Sequence, residues 1–163
     1  MPTRAPVALK RPALDPATVP GRSTSPYPTD ALRAVVAGRM RQALGDALGL
    51  QTFGVNLVRL APGGCSSLRH WHARQDEFVY VLEGEVTLIT DGQAQALGPG
   101  MCAGFPAGKA DGHHLVNRSS TEAVYLEVGD RLPGDRVHYP DVDLEGRATR
   151  SAPEFFHKDG TPY

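Results

Sequence analysis

The chain has 163 residues, which suits one domain, and 40% of them are hydrophobic, which is enough for a sizeable core. Lysine plus arginine (17) nearly balance aspartate plus glutamate (18), so the formal charge of −1 gives no basis for binding nucleic acid or an acidic membrane. The sequence has neither the long apolar run of a membrane span nor the N-terminal apolar stretch of a secretion signal, so it predicts no membrane association and no export.

Residues 1–28 carry seven prolines and few apolar clusters. They predict an extended N-terminal arm, either loose or strapped along the domain or a partner subunit. Residues 31–50 leave two alternatives open. Helix-forming residues are frequent there but are interrupted by three glycines, and a strand over residues 35–40 followed by a turn at residues 45–46 fits equally well. A second clear helix is missing, so the segment does not predict a DNA-binding helix-turn-helix.

The pattern typical of β-strands begins at residue 53. Apolar residues alternate along residues 53–58, and residues 77–82 are apolar on both faces, as in a strand buried between two layers. Further strand patterns follow at residues 86–90 and 124–128. The abundance of glycine (18) and proline (14) suits many short strands joined by tight turns. The residues expected to face inward on the buried strand are Glu77, Val79 and Val81.

One short segment carries the strongest functional signal. His70 and His72 are two residues apart, so on a β-strand both imidazoles point to the same face. Glu77 follows after four further residues, which leaves room for a turn that brings its carboxylate back beside the imidazoles. Two imidazoles and a carboxylate on adjacent strands are typical of an open site for a divalent transition metal.

A second segment, residues 98–117, completes the picture, because together the two segments resemble the paired motifs of the cupin superfamily. The first segment fits G-x5-H-x-H-x4-E-x6-G from Gly64 to Gly84. The second fits G-x5-P-x-G from Gly100 to Gly108 and then H-x3-N, with four residues where the family usually has two between that glycine and the histidine. The resemblance covers roughly residues 50–130. The remaining residues of the second motif are Pro106, His113 and Asn117, with His114 beside the histidine.

The resemblance implies an all-β fold, a double-stranded β-helix or jelly-roll barrel with irregular arms at both ends. We expect the barrel to span residues 29–130, after the N-terminal arm of residues 1–28. Residues 131–163 are expected to form a C-terminal tail that packs on the barrel or on a partner subunit. Long arms at both ends are common in cupins that dimerise by strand exchange, so a homodimer is the expected assembly.

The resemblance also implies a set of metal ligands: His70, His72, Glu77 and His113. His114 is the alternative fourth ligand, although the H-x3-N spacing favours its neighbour. Such a set leaves two positions of an octahedron open, and its mixed imidazole and carboxylate donors suit Fe, Mn, Ni, Co or Zn without selecting among them. A single carboxylate leaves a divalent ion with net positive charge, which favours a small oxygen-rich ligand that is anionic or sugar-like.

The sequence therefore predicts a metal-binding cupin protein, and the leading hypothesis is a metal-dependent enzyme that acts on a small molecule. Dioxygenase, decarboxylase and sugar-phosphate isomerase types all occur in the superfamily. The alternative is a non-catalytic metal or small-ligand binding module, such as a sensor. The absence of an obvious general acid or base favours that alternative, because Asp76 is the only close carboxylate.

Two further expectations concern residues near the motifs. Tyr125 and Glu127 could line the mouth of the barrel, but the alternation with Val124 and its apolar neighbours favours a place on the solvent face of their strand. The two cysteines, at positions 65 and 102, are expected to be free thiols, which fits a cytoplasmic protein.

Overall fold

A computed structural model describes residues 5–149 and 152–163, and their regular structure is almost entirely β. Two five-residue helices, α1 (Asp30–Ala34) and α2 (Leu44–Leu48), and a 3-10 turn at Pro16–Thr18 precede or flank the first strand. No helix in the described ranges has the length and apolar character needed to cross a membrane. The strands are β1 (Arg39–Ala43), β2 (Phe53–Leu60), β3 (Trp71–His72), β4 (Glu77–Glu83), β5 (Val86–Ile89), β6 (Ala94–Leu97), β7 (Cys102–Phe105), β8 (His114–Val116), β9 (Ala123–Asp130), β10 (Arg136–Tyr139), β11 (Leu144–Arg147) and β12 (Glu154–Phe156).

The strands form two facing layers. One layer is a five-stranded antiparallel sheet in the order β1-β2-β9-β4-β7. The other consists of a three-stranded sheet, β6-β5-β8, and a four-stranded sheet, β12-β11-β10-β3. Residues 64–70 join these two sheets by running antiparallel to the β8 segment, with Ser66 N–H donating to the Leu115 carbonyl at 2.8 Å. The predicted all-β jelly-roll fold is confirmed.

The main core lies between the two layers. It includes Val79 and Val81, so the prediction that this face of β4 points inward is confirmed. The ladder pairs Tyr125 with Val58 on β2 and with Val81 on β4, and opposed residues in a ladder share one face of the sheet. The remaining members of this core are Leu60, Val86, Leu88, Leu115 and Ala123.

The expected faces of β9 are reversed in the structure. Tyr125 is 0% exposed and belongs to the core, and Glu127 follows on the same inner face. Leu126 and Val128 lie on the outer face and are half-buried. The prediction was wrong because alternation separates two faces but does not identify the inner one when both carry apolar residues.

The segment that left two alternatives open contains both kinds of structure. Helix α1 begins after Thr29, whose side chain accepts a hydrogen bond from the Leu32 N–H. Strand β1 follows at Arg39–Ala43, slightly later than the sequence suggested. Helix α2 then ends at Gly49, which has φ +80°, a conformation that favours glycine.

The described part of the N-terminal arm is strapped along the same chain. Gln42 on β1 donates from its amide to the carbonyl oxygens of Pro16 (2.8 Å) and Val19 (2.6 Å). Backbone hydrogen bonds of 2.9 Å also connect Arg22 and Arg41 in both directions. The arm therefore covers the outer edge of the five-stranded sheet.

The described residues of the C-terminal segment, 131–149 and 152–163, pack on the barrel and contribute more regular structure than a tail. Strands β10, β11 and β12 extend the second layer beyond β3. A second core cluster lies beneath them, in which Tyr139 and the fully buried Leu144 pack against Tyr27 and Leu68. The C-terminal strands are therefore bound to the barrel by an apolar core.

This second core gives a direct test of the C-terminal segment. Leu144→Ala removes a fully buried side chain and is expected to lower the free energy of unfolding by about 2–5 kcal/mol. Leu132→Ala, at a position 42% exposed in the same segment, is the matched control and should change it by about 0.5 kcal/mol or less. Urea denaturation followed by circular dichroism measures both, and equal losses would contradict the described packing.

Candidate metal centre

Two chain segments meet at the inner face of the second layer. His70 and His113 form an antiparallel bridge, with backbone hydrogen bonds of 3.1 Å and 2.8 Å in the two directions. His72 lies on β3, two residues further along, so its side chain shares the face of His70. Glu77 is the first residue of β4 and approaches from the opposite layer.

Glycines of the two motifs allow the close turns that bring these segments together. Gly108 has φ +74°, and its N–H donates to the carbonyl oxygen of His72 at 2.9 Å. Gly84 has φ +69°, and a Cβ there would lie 2.5 Å from the carbonyl oxygen of Glu122. A side chain at either position would strain the backbone, and at Gly84 it would also collide with the backbone of Glu122.

The four side chains predicted as ligands converge on one point. The Nε2 atoms of His113, His70 and His72 lie 3.0, 3.4 and 3.4 Å from Oε2 of Glu77. Potential ligand atoms of His70, Glu77 and His113 all lie within 4.8 Å of one another. The described chain thus offers a possible metal site, and the assignment of the four ligands stays a prediction.

Hydrogen bonds at the far side of two rings orient them toward this point. Nδ1 of His70 lies 2.9 Å from the carbonyl oxygen of Leu68, and Nδ1 of His72 lies 2.6 Å from Oδ2 of Asp135. Both partners are acceptors, so each Nδ1 carries a proton and donates it. The Nε2 atoms then face the Glu77 carboxylate, where either protons or a shared cation must lie between nitrogen and oxygen. The donor set therefore fits a divalent cation.

The ionisation of the site follows from the same contacts. Burial raises the pKa of Glu77, but hydrogen bonds from His113 and His70 outweigh burial and hold that pKa well below its usual range. Burial lowers the pKa of His113, which favours its neutral form. Burial also lowers the pKa of His72, but the hydrogen bond to Asp135 and the charge of Glu77 raise it above its usual value. A metal at this point would meet an ionised carboxylate and would compete with a proton on His72.

The structure distinguishes the two adjacent histidines. His113 is 6% exposed, and its ring faces Glu77. His114 points the other way, with Nδ1 lying 3.2 Å from Sγ of Cys65 and 3.1 Å from the carbonyl oxygen of Ser67. The alternation of side chains along an extended backbone accounts for this difference. The structure therefore brings His113, and not His114, to the cluster.

Asp135 is a site residue that the sequence analysis missed. It is 0% exposed and lies 63 positions after His72, in the segment expected to be a tail. Its Oδ1 accepts the backbone N–H of Arg74 at 2.7 Å while Oδ2 accepts from His72. A lone aspartate between strands carries no signal of its own in one sequence, so only the fold reveals this contact.

The carboxylate that the sequence analysis considered as acid or base has a different role. Asp76 accepts the backbone N–H of Ala107 at 2.7 Å and thereby fixes the turn of the second motif. A second carboxylate, Glu127, lies inside the barrel and accepts a hydrogen bond from Asn56 Nδ2 at 3.0 Å through Oε1. The sequence analysis considered this residue for the barrel mouth but favoured the solvent face, which was wrong because the faces of β9 are reversed.

Glu127 faces a small cavity of about 30 Å³ behind the cluster. The hydroxyl of Tyr125 is buried in the same region and has no hydrogen-bond partner among the residues that the structure describes. Groups of both motifs share the cavity with these two residues. They include His70, Glu77, His113, Ser66 and Ser67.

Two larger openings reach the cluster from outside, and both are lined by Glu77. The first has a volume of about 170 Å³. It is lined by His72 and His113 and by polar side chains that include Lys109. The second has a volume of about 220 Å³ and contains Glu127 together with Arg41. A small molecule could therefore approach the cluster from either side.

The contrast between the two adjacent histidines gives a test. His113→Ala is expected to weaken Zn²⁺ binding by about 10-fold or more, because an imidazole that faces Glu77 is lost. His114→Ala removes the same group from the next position and should leave the affinity unchanged. Isothermal titration calorimetry of metal-free protein measures both affinities. Equal losses, or a larger loss for His114→Ala, would contradict the assignment.

Comparisons with known proteins agree with this architecture. The cupin domain family matches residues 56–129. The chain is similar to a protein from Silicibacter pomeroyi whose crystal structure is described as a sugar phosphate isomerase from a cupin superfamily. The TM-score is 0.89, and the identity is 47% over 93% of this chain and 96% of that chain. It is also similar to a proposed sugar phosphate isomerase from Acidithiobacillus ferrooxidans, with TM-score 0.70 and 31% identity over 78% and 82% of the two chains.

A polyketide cyclase from Streptomyces resistomycificus shares the fold, with TM-score 0.60 and 21% identity over 76% of this chain and 80% of that chain. No curated protein matches the chain. The similarity to the first structure extends over nearly the full length of both chains. This chain is therefore a member of the cupin superfamily.

Proposed function

We propose that the protein is a metal-dependent enzyme that isomerises a small phosphorylated sugar-like molecule by moving a proton between neighbouring carbon atoms. The observation that carries the proposal is Glu127, a second carboxylate that shares a cavity with the proposed ligands His70, Glu77 and His113. The sequence analysis favoured the solvent face for Glu127 and identified no obvious general acid or base, which had favoured a non-catalytic binding module. A titratable group beside an open metal site is what separates an enzyme from that alternative.

His70, His72, Glu77 and His113 would hold the ion, which we propose to be Fe, Mn, Ni, Co or Zn. A divalent metal in this position supplies a Lewis acid that polarises a carbonyl or hydroxyl oxygen of the substrate. The three imidazoles and one carboxylate leave the site with net positive charge, so an oxygen-rich anionic substrate is favoured.

Glu127 is suited to the proton transfer. One of its oxygens accepts from Asn56, which orients the carboxylate, and we propose that the other acts as the base. In the proposed step the carboxylate takes the proton from the carbon next to the carbonyl, and the electron pair of that bond forms the enediol double bond. The carboxyl group, whose proton can exchange with solvent, then delivers a proton to the neighbouring carbon, and a hydroxyl proton moves between the two oxygens. The step consumes no oxidant or reductant.

The cleft that Glu127 lines is also lined by positively charged arginine side chains. Arg41 lines this cleft with Glu127, and Arg131, at the same cleft, pairs with Asp46. A guanidinium can bind phosphate through two parallel hydrogen bonds, so Arg41 is the group that we propose for the phosphate end of the substrate. The proposed base and the proposed phosphate ligand are then in one cleft of about 220 Å³.

The comparisons support this substrate class over the other two types. The protein from Silicibacter pomeroyi, 47% identical over almost the whole chain, is described as a sugar phosphate isomerase. We propose the same class for this chain, with the cytoplasm as its location. The two cysteines are free, which supports a reducing compartment.

We also propose that the predicted homodimer forms through the outer face of the five-stranded sheet. Phe78, Tyr80 and Leu82 alternate along β4 and are 41%, 38% and 40% exposed. Their neighbours on β9, Leu126 and Val128, extend the apolar surface across the sheet. A flat apolar face of this kind is self-complementary when a second copy is related by a twofold axis.

The proposed activity is tested with Glu127→Gln, because the glutamine side chain has nearly the same shape but cannot act as a base. Metal-loaded protein is incubated in D2O with a panel of aldose and ketose phosphates, and NMR follows deuterium uptake next to the carbonyl and product formation. The variant is expected to lose about 10²–10⁴-fold in rate while retaining its metal. Glu122→Gln is the matched control, because Glu122 pairs with Arg59 outside the cavity.

The outcomes separate the hypotheses. An unaffected rate in Glu127→Gln would contradict the assigned base. A metal-loaded wild-type protein that neither exchanges nor converts any compound of the panel would overturn isomerisation and favour the non-catalytic binding module. Elemental mass spectrometry of the purified protein identifies the metal used for loading.

The dimer proposal has its own test. Tyr80→Glu places a charge in the centre of the proposed interface and is expected to shift the protein from dimer to monomer, because the charge would be buried without a partner. Gln95→Glu adds the same charge at an exposed position on β6 and should leave the mass unchanged. Size-exclusion chromatography with light scattering measures the mass. A monomeric wild-type protein would refute the dimer.

A further inference from the structure

We infer that Asp135 is a positioning residue of the metal centre. The C-terminal segment, residues 131–163, therefore helps to hold His72 in its metal-binding orientation. The inference rests on the metal role proposed above and concerns how His72 is held for that role. The cupin domain match ends at residue 129, so this residue lies outside the part of the chain that the family defines.

The contacts of Asp135 hold its carboxylate in a single orientation. The residue is 0% exposed, and each oxygen has a short hydrogen bond: Oδ2 to Nδ1 of His72 at 2.6 Å and Oδ1 to the backbone N–H of Arg74 at 2.7 Å. A buried carboxylate is stable only when both oxygens are satisfied in this way. Because the backbone bond fixes Oδ1, the other oxygen is fixed opposite the imidazole.

This contact determines which nitrogen of His72 is available. An acceptor opposite Nδ1 keeps a proton on that nitrogen, so Nε2 is the nitrogen available to a cation bound beside Glu77. It also fixes the plane of the ring. Carboxylates behind metal-binding imidazoles set the tautomer and the basicity of the ligand, and their loss typically reduces metal affinity by about 10–100-fold.

The backbone of His72 depends on the same segment. Strand β3 is only two residues long and lies at the end of its sheet, where it pairs with β10 through His72–Val137 and Trp71–His138. The N–H of Ala73 donates to the carbonyl oxygen of Arg136 at 2.9 Å. By contrast, Glu77 is held by β7 and β9 of the barrel sheet. Among the proposed ligands, and within the described part of the chain, His72 is the one whose side chain and backbone are both held by residues beyond position 130.

A second consequence follows from thermodynamic linkage. If the C-terminal segment holds His72 in its binding conformation, then a metal bound to His72 stabilises the C-terminal segment by the same free energy. Addition of metal should therefore suppress local opening of β10 more strongly than opening of strands without ligands. A segment that merely covered the barrel would show no such selective effect.

The test compares two aspartates of the same segment with matching contacts. Asp143 also accepts from a histidine Nδ1, that of His157 at 2.7 Å, and from a backbone N–H, that of Lys158 at 2.8 Å, but it is exposed and outside the cluster. Asp135→Asn places an amide donor opposite Nδ1 of His72 and is expected to weaken Zn²⁺ binding about 10–100-fold. Asp143→Asn should bind Zn²⁺ as tightly as the wild type. Isothermal titration calorimetry gives the affinities.

Nitrogen-15 NMR of the metal-free proteins gives a readout that a purely structural role would not move. The wild type is expected to keep a proton on Nδ1 of His72, opposite Asp135, and Asp135→Asn should remove the proton from Nδ1 and leave Nε2 as the protonated nitrogen. Unchanged affinity together with an unchanged tautomer in Asp135→Asn would overturn the inference while leaving the proposed metal site intact. Failure of the wild type itself to bind Zn²⁺, Mn²⁺, Fe²⁺, Co²⁺ or Ni²⁺ would instead overturn the metal role and this inference with it.

Hydrogen exchange of the wild type keeps the inference testable if Asp135→Asn does not fold. Zn²⁺ is expected to slow amide exchange in residues 135–139 and in the neighbouring β3, relative to β5 and β6, which carry none of the proposed ligands. Equal slowing in all of these strands, or none in β10, would overturn the inference.

Discussion

The structure depends on one local constraint: three imidazole nitrogens surround a single oxygen of Glu77 at 3.0 to 3.4 Å. Glu77 belongs to one layer of the barrel, and the histidines belong to the other. Such a cluster is stable only if both layers are held in fixed register, since unpaired buried polar groups are costly. The backbone hydrogen bonds between His70 and His113 fix the histidines in their layer, and the pairing of Glu77 with Phe105 and with Gly129 in the sheet ladders fixes the carboxylate in the other.

The apolar core and the polar cluster occupy different levels of the barrel interior. Below the cluster the inner face carries Val79, Val81, Leu115 and Tyr125, which hold the two layers together. At the level of the cluster the same strands carry Glu77 and Glu127. The core therefore places the two carboxylates on the inner face of the barrel, beside His70 and His113.

Support for the site also comes from outside the barrel. The N-terminal arm contributes Tyr27 to the second core, and the C-terminal strands contribute Tyr139 and Leu144 to it. This core holds β10 in place, and β10 in turn pairs with β3 at His72. Packing at one end of the chain is thus connected to the geometry of a histidine near its middle by continuous contacts.

The sequence by itself determined the family, the all-β fold and the residues of the cluster, because these depend on short-range spacing. Alternation places His70 and His72 on one face, and the H-x3-N spacing selected the histidine that the structure brings to Glu77. Only the tertiary structure decided that Glu127 faces inward, since β9 is apolar on both faces and the ladder register alone sets its inner side. Only the tertiary structure placed Asp135 behind His72, because a contact across 63 positions depends on how the strands are connected in space.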